Sequence, residues 1–224
     1  MFKLICFDLD GTLIDSVPDL AAGVNSMLSQ LSRPNFSEDI VRGWVGNGVP
    51  ILVQRALSGS VDVAAELTEA ELNQGIEFFL RHYSVNLFSE SKLYPNVVET
   101  LTALKAAGYK LAIITNKPIT QTKPVLELAG ISDFFDIVLG GDSLAEKKPH
   151  PLPLQHCQQQ FNLSCDEVLM VGDSKNDIIA AKAAGFSSLG LTYGYNYGIP
   201  ISESAPNFVA DDIGDVLKIL GKYL

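Results

Sequence analysis

The sequence predicts an α/β protein with a Rossmann-like parallel sheet as its core and a helical unit inserted after the first strand. Two observations carry that expectation. Short apolar runs rich in Val, Ile, Leu and Phe recur with helical patterns between them, as parallel strands joined by helical crossovers require. The rhythm breaks once, between Ser16 and Ser91, where the patterns are helical and no convincing strand occurs. The expected sheet core is therefore residues 1–15 and 92–224, and the expected helical insert is 16–91.

The elements follow in order. KLICF (3–7) ends in unbroken apolar residues, as in a strand covered on both faces. Within the insert, SVPDLAAGVNSMLSQL (16–31), SEDIVRGWV (37–45), PILVQRAL (50–57) and TEAELNQGIEFFLRHYSVNL (68–87) read as helices. Such a stretch is too long and too apolar for a loop, so its helices should pack as a small second domain over the sheet. YPNVVETLTALKAAG (94–108) has Pro95 near its first helical turn and Gly108 where the helix should stop. Further strands are expected in YKLAIIT (109–115), FDIVLG (135–140), EVLMVGD (167–173) and SSLGLTY (187–193), with Gly185 ending an alanine-rich helix before the last of these.

A chain of 224 residues suffices for one large domain or for a core and a smaller one. Its 26 acids against 16 bases, a net charge of -10, argue against nucleic acid as a partner, because a polyanion calls for clustered Lys and Arg. One small phosphorylated molecule remains open as a partner. No stretch approaches the roughly 18 apolar residues of a membrane span, and MFKLICFDLDG lacks the cleavage site of a secretory leader. A cytoplasmic protein without membrane contact is expected. Cys6, Cys157 and Cys165 are odd in number and lack zinc spacing, which suggests reduced, buried thiols. The Asn-x-Ser triplets at Asn35 and Asn162 then carry no meaning.

In a parallel sheet, ligands bind beyond the carboxyl ends of the strands. Here those ends are polar: Asp8-Leu9-Asp10-Gly11-Thr12, then Thr115-Asn116-Lys117, then Gly140-Gly141-Asp142 leading to Lys147-Lys148-Pro149, then Gly172-Asp173-Ser174-Lys175-Asn176-Asp177. Asp8, Asp10, Asp173 and Asp177 would crowd one crevice, where repulsion demands a compensating charge. An all-oxygen set with room for water suits Mg²⁺ better than zinc. At a phosphate ester, Asp8 can attack phosphorus to form an aspartyl-phosphate. Asp10, two residues on and so on the same side of an extended backbone, can protonate the departing alcohol and later activate water. Thr115, Asn116 and backbone N–H groups around Gly11 are candidates for holding the phosphoryl oxygens, and Lys148 for neutralising charge.

DLDGT, the Thr115-Asn116 pair, Lys148 and GDSKND, in that order, resemble the four motifs of the haloacid dehalogenase superfamily of aspartate-nucleophile phosphatases. The resemblance covers essentially the whole chain, and the insert is similar to that superfamily's C1 cap. It implies metal ligation by the Asp8 carboxylate, the Asp10 backbone carbonyl and the Asp173 carboxylate, with Asp177 supporting the metal. A retained Asp10 implies a phosphatase rather than a dehalogenase, since expelling halide needs no proton donor. RGWVGNGVPILVQRAL, KKPHPLPL and LTYGYNYG further resemble the bacterial phosphoglycolate phosphatases of that superfamily, which implies 2-phosphoglycolate as substrate. Arg42, Asn47 and Arg55 are then candidates for contacting the glycolate carboxylate. Pyrophosphate, pyridoxal phosphate and sugar phosphates are alternative substrates within the superfamily, a phosphoglucomutase-like transfer is another outcome, and a non-catalytic metal-binding module is the different-class reading.

Each motif also has a plainer reading. Asp-x-Asp-Gly is not an EF-hand, because Gly11 is fourth rather than sixth and a strand precedes it. Asp173 and Asp177 near a helix start would serve as helix caps, and Thr115-Asn116 as a turn. GWVGNG lacks the order of a dinucleotide loop. Trp44 reads as a core or cap-interface residue, His82, His150 and His156 as structural, and Tyr193, Tyr195 and Tyr197 as a strand end with its loop.

Overall fold

The computed structural model describes residues 1–62 and 67–221. Its elements run β1 (Leu4–Phe7), β2 (Ile14–Asp15), α1 (Val17–Gln30), α2 (Glu38–Arg42), α3 (Val49–Ser58), α4 (Glu69–Tyr83), β3 (Lys92–Leu93), α5 (Val97–Ala106), β4 (Lys110–Ile114), α6 (Ile119–Leu128), β5 (Ile137–Leu139), α7 (Leu152–Gln160), β6 (Val168–Gly172), α8 (Lys175–Ala184), β7 (Ser187–Leu191), β8 (Phe208–Ala210) and α9 (Asp215–Gly221).

Six strands form one parallel sheet in the order β5, β4, β1, β6, β7, β8. Strand side chains alternate between two apolar layers, as the pleat dictates. Ile5, Phe7, Leu111, Ile113, Leu169 and Val171 pack with α5, α6 and α9 on one face. Leu4, Cys6, Ala112, Ile114, Val168 and Met170 pack with α7 and α8 on the other. This double coverage explains why the strand runs lack polar alternation. The chain leaves β1, builds β4 and β5 on one side, then crosses back to β6 on the other, so the crevice of the sheet opens beside β1.

The insert holds α1 to α4 and no strand among its described residues beyond the ends of its tether. Its apolar faces meet in a cluster of their own, with Leu20, Val24, Met27, Val53 and Phe79 buried at its centre and Trp44 packed edge-on against Phe36. A capping box at the start of α4 fixes that helix: Thr68 Oγ1 accepts from the Glu71 N–H, and the Glu71 carboxylate accepts from the Thr68 N–H at 3.0 Å. The chain enters and leaves the insert along an antiparallel ribbon, with Ile14 opposite Leu93 and Asp15 opposite Lys92.

Several expectations need correction. β8 is a sheet strand that the apolar runs did not reveal. The segment 37–45 is helical only to Arg42, since the chain turns at Gly43. Cys6 and Cys157 are buried, but Cys165 is exposed. No helix among the described residues is long and apolar enough to cross a membrane.

Candidate active site

Four neighbouring strands deliver polar residues to one crevice. Asp8 follows β1, Thr115, Asn116 and Lys117 follow β4, Lys148 lies on the loop after β5, and Asp173 follows β6. Asp8, Asp173 and Asp177 each offer a carboxylate oxygen within 4.8 Å of the other two, and all three are buried.

Each acid is held by its own local structure. Asp173 accepts from Thr12 Oγ1 at 2.7 Å and from the Tyr195 N–H at 2.6 Å. Gly11, at φ +94°, and Gly194 lie so close that a Cβ on either would overlap this carboxylate. Asp177 forms the capping box of α8, accepting from the Ser174 N–H and hydroxyl at 3.0 and 3.2 Å. The helix-cap reading is thus true of Asp177 and compatible with its place in the cluster. It is not true of Asp173, since Ser174 is the cap.

The charges are only partly matched. Lys148 Nζ donates to Asp177 Oδ1 at 2.6 Å and lies 2.9 Å from Asp8 Oδ1, which receives no well-aligned hydrogen bond. Two of the three buried carboxylates therefore share one ammonium, and Asp173 has only hydrogen bonds. Burial pushes the Asp8 carboxyl up to about 7; Lys148 pulls against this and Asp177 adds to it. Asp173 is pushed well above the carboxylate range by burial, then by the charges of Asp8 and Asp177. For Lys148, burial works against the ammonium, but Asp177 and Asp8 outweigh it and raise the pKa. Three clustered carboxylates with a single ammonium beside them form an oxygen donor set that suits a hard divalent cation.

Asp8 and Asp10 line one cavity of about 40 Å³ with Thr115, Asn116, Lys117 and Gln121 from the core and Leu20, Val45, Val49, Leu52 and Tyr83 from the insert. A loop of the insert closes it. The Gly46 carbonyl accepts from the side-chain amides of Asn116 and Asn176 at 3.0 and 3.1 Å, and the Asn47 carbonyl accepts from Lys147 Nζ at 2.9 Å. Tyr197 donates to Asn47 Oδ1 at 2.6 Å, and the Tyr195 hydroxyl meets Ser16 and Asp15 at the insert's entry.

The expected residues therefore gather, with differences of detail. The two amide protons of Asn116 are spent on the Gly46 and Lys148 carbonyls, so its side chain joins insert and core instead of offering donors to the cavity. The Gly11 N–H is taken by the Ile14 carbonyl at 2.8 Å, and the contribution of Gly11 is the space it leaves for Asp173. Thr115 Oγ1 accepts from the Lys117 N–H at 3.2 Å. Arg42 pairs with Asp15 and lies over the Tyr195 ring, while Arg55 donates to the Trp44 and Val61 carbonyls and lies over the Tyr197 ring. Neither arginine, nor Asn47, lines the cavity. Sequence reasoning gave no role to Lys117, which donates to both Asp10 oxygens, or to Tyr83 and Gln121. The three tyrosines, read as a strand end with its loop, all follow the end of β7 at Leu191, and Tyr195 and Tyr197 also grip the insert.

The parallel α/β fold gathers three buried acids at its strand ends, beside a small cavity that Asp8 and Asp10 line. The chain belongs to the haloacid dehalogenase-like hydrolase family, whose model matches residues 5–191. It is similar to a phosphoglycolate phosphatase of Haemophilus influenzae, 52% identical over 220 residues that cover 98% of each chain. A phosphoglycolate phosphatase of Colwellia psychrerythraea is 49% identical over 215 residues, covering 96% of this chain and 95% of the relative. The crystal structure of a predicted phosphoglycolate phosphatase from Haemophilus somnus superposes with a TM-score of 0.91 at 49% identity, covering 98% of each chain. These likenesses over nearly the full length make the chain a phosphoric monoester hydrolase.

Proposed function

We propose that the chain hydrolyses 2-phosphoglycolate to glycolate and phosphate through an aspartyl-phosphate formed on Asp8. Asp8 and Asp10 opening onto one small cavity, with Asp173 and Asp177 behind Asp8, is the observation that carries this reading. An Asp8 oxygen attacks phosphorus, the bond to the ester oxygen breaks, and Asp10 gives its proton to the departing alkoxide. Asp10 then takes a proton from water as that water attacks phosphorus, releasing phosphate and restoring Asp8. Lys148 offers positive charge beside the phosphoryl group, and Thr115 a hydroxyl to its oxygens.

The acids fit Mg²⁺: Asp8, Asp173 and Asp177 would hold it with the Asp10 backbone carbonyl. When bound there it would offset the two negative charges that Lys148 leaves and draw charge from a phosphoryl oxygen. Residues 16–91 act as a cap whose apolar wall keeps bulk water from the aspartyl ester. The phosphoglycolate phosphatases at about half identity favour glycolate as the leaving group.

Phosphate release from a panel of small esters, with and without Mg²⁺, tests the proposal. A preference for 2-phosphoglycolate that requires the metal is expected. A flat profile, or turnover undiminished by chelator, would contradict it.

A further inference from the structure

Lys117 is the one cationic side chain among the described residues that line the cavity. It follows the Thr115-Asn116 pair at the end of β4, and its side chain is 3% exposed. Its Nζ donates to the Asp10 oxygens at 3.0 and 3.1 Å and lies 5.0 Å from the centre of the Tyr83 ring. The ammonium thus stands where core and insert meet. The insert's side of the cavity is otherwise apolar, from Leu20, Val45, Val49 and Leu52. Arg42 and Arg55 are engaged elsewhere, as described above. An anionic group on the leaving alcohol would have to be buried here, and a buried charge needs a partner.

We infer that Lys117 is the specificity-determining residue that receives a carboxylate carried by the leaving alcohol. This rests on the proposed substrate and deepens it, because the geometry also limits where that carboxylate can be. The ester oxygen must face Asp10, and Asp10 is in direct contact with Lys117. Ester oxygen and carboxylate are therefore close in the substrate, as in a phosphorylated 2-hydroxy acid. An acid with several carbons between the two groups would leave its charge against Leu20 or Val49. The ammonium meets both Asp10 oxygens and is hydrogen-bonded to Tyr83, so an incoming carboxylate exchanges with one of these contacts while another is kept.

The test compares kcat/KM for 2-phosphoglycolate and for 2-hydroxyethyl phosphate, in which an alcohol replaces the carboxylate, in wild type, Lys117→Met and Lys117→Arg. Activity on both esters falls in the Met variant as Asp10 loses its partner, so the ratio between the esters is the readout. Wild type should prefer the carboxylate ester by about 100-fold, Lys117→Met should cut that ratio by about 30-fold or more, and Lys117→Arg should restore part of it. A ratio that survives in Lys117→Met overturns the inference and leaves the substrate reading standing. A wild type with no preference overturns both. Should the Met variant fail to fold by circular dichroism, Lys117→Gln, which keeps an N–H donor against Asp10, is read in the same way.

Discussion

The two walls of the cavity obey different rules. On the sheet side, the polar residues stand at the ends of buried strands or in the first turn of α8 and are fixed by short contacts: Asp173 by Thr12 and Tyr195, Asp177 by its own helix cap, Asp10 by Lys117. On the insert side the wall is Leu20, Val45, Val49, Leu52 and Tyr83, carried by helices that have their own apolar cluster. Rigid elements suit groups that must be aimed within fractions of an ångström, whereas an apolar wall needs only to fit and to exclude water. Substitutions on the sheet side should therefore act on turnover and metal binding, and those at the insert's contacts on KM.

The sharpest break of that contrast is Asp8→Asn, which should lower kcat by about 10⁴-fold or more. Its melting temperature should change little, because burial disfavours the charged form of this carboxyl and Lys148 keeps Asp177 as its partner. Persistent turnover in a stopped or steady-state assay would remove Asp8 from the chemistry. Next comes Lys148→Met. Asp8 and Asp177 would be left without their shared ammonium, a change that costs about 3–5 kcal/mol at a buried pair, seen as a melting temperature lower by about 10 °C. An unchanged melting curve would show that the acids are compensated by something else.

A third effect follows from pH. The Asp8 value in the folded chain, about 7, lies above its ordinary value near 3.8, so the folded state holds a proton that the unfolded state has already lost. The metal-free protein should lose stability as pH rises from about 4 through 7, and Asp173, raised for the same reasons, adds to the slope. Added Mg²⁺ should then raise the melting temperature more at pH 8 than at pH 5, by about 5–10 °C at the higher pH when its concentration is about 100 times Kd. An equal shift at both pH values would argue that the cation binds elsewhere. The smallest effect belongs to the insert: Asn47→Ala removes the hydrogen bond from Tyr197 and should cost about 1 kcal/mol or less. KM should rise a few-fold while kcat stays within about twofold. A large fall in kcat would dissolve the distinction between the two walls.

The sheet was legible where burial on both faces leaves an unbroken apolar run, as in LICF of β1 and VLMVG of β6. β8 escaped because it has three residues and exposes Val209, so it offers neither a run nor a clear alternation. Asp8, Asp10 and Asp173 could be singled out because a polar residue at the end of a buried strand has one obvious place to point, whereas Lys148, on the loop after β5, and Asp177, in the first turn of α8, were singled out with the help of the family resemblance. Lys117 occupies the same kind of position and could have been read in that way, since it directly follows the Thr115-Asn116 pair. Tyr83 had no such signal: it reaches the cavity only because α4 packs across α1, which no local pattern encodes. Arg42 and Arg55 have the right charge for an anionic substrate, but their directions depend on Asp15 and on the Trp44 carbonyl, and these turn them away.

The ribbon of β2 and β3 has a practical consequence. Asp15 and Lys92 are paired across it, one strand spacing of about 5 Å apart. Everything between them could be excised and replaced by a tight two-residue hairpin without asking the sheet to move. A truncated chain of that kind would keep its acids and Lys117, and its rates on different esters would separate what the sheet supplies from what the insert adds.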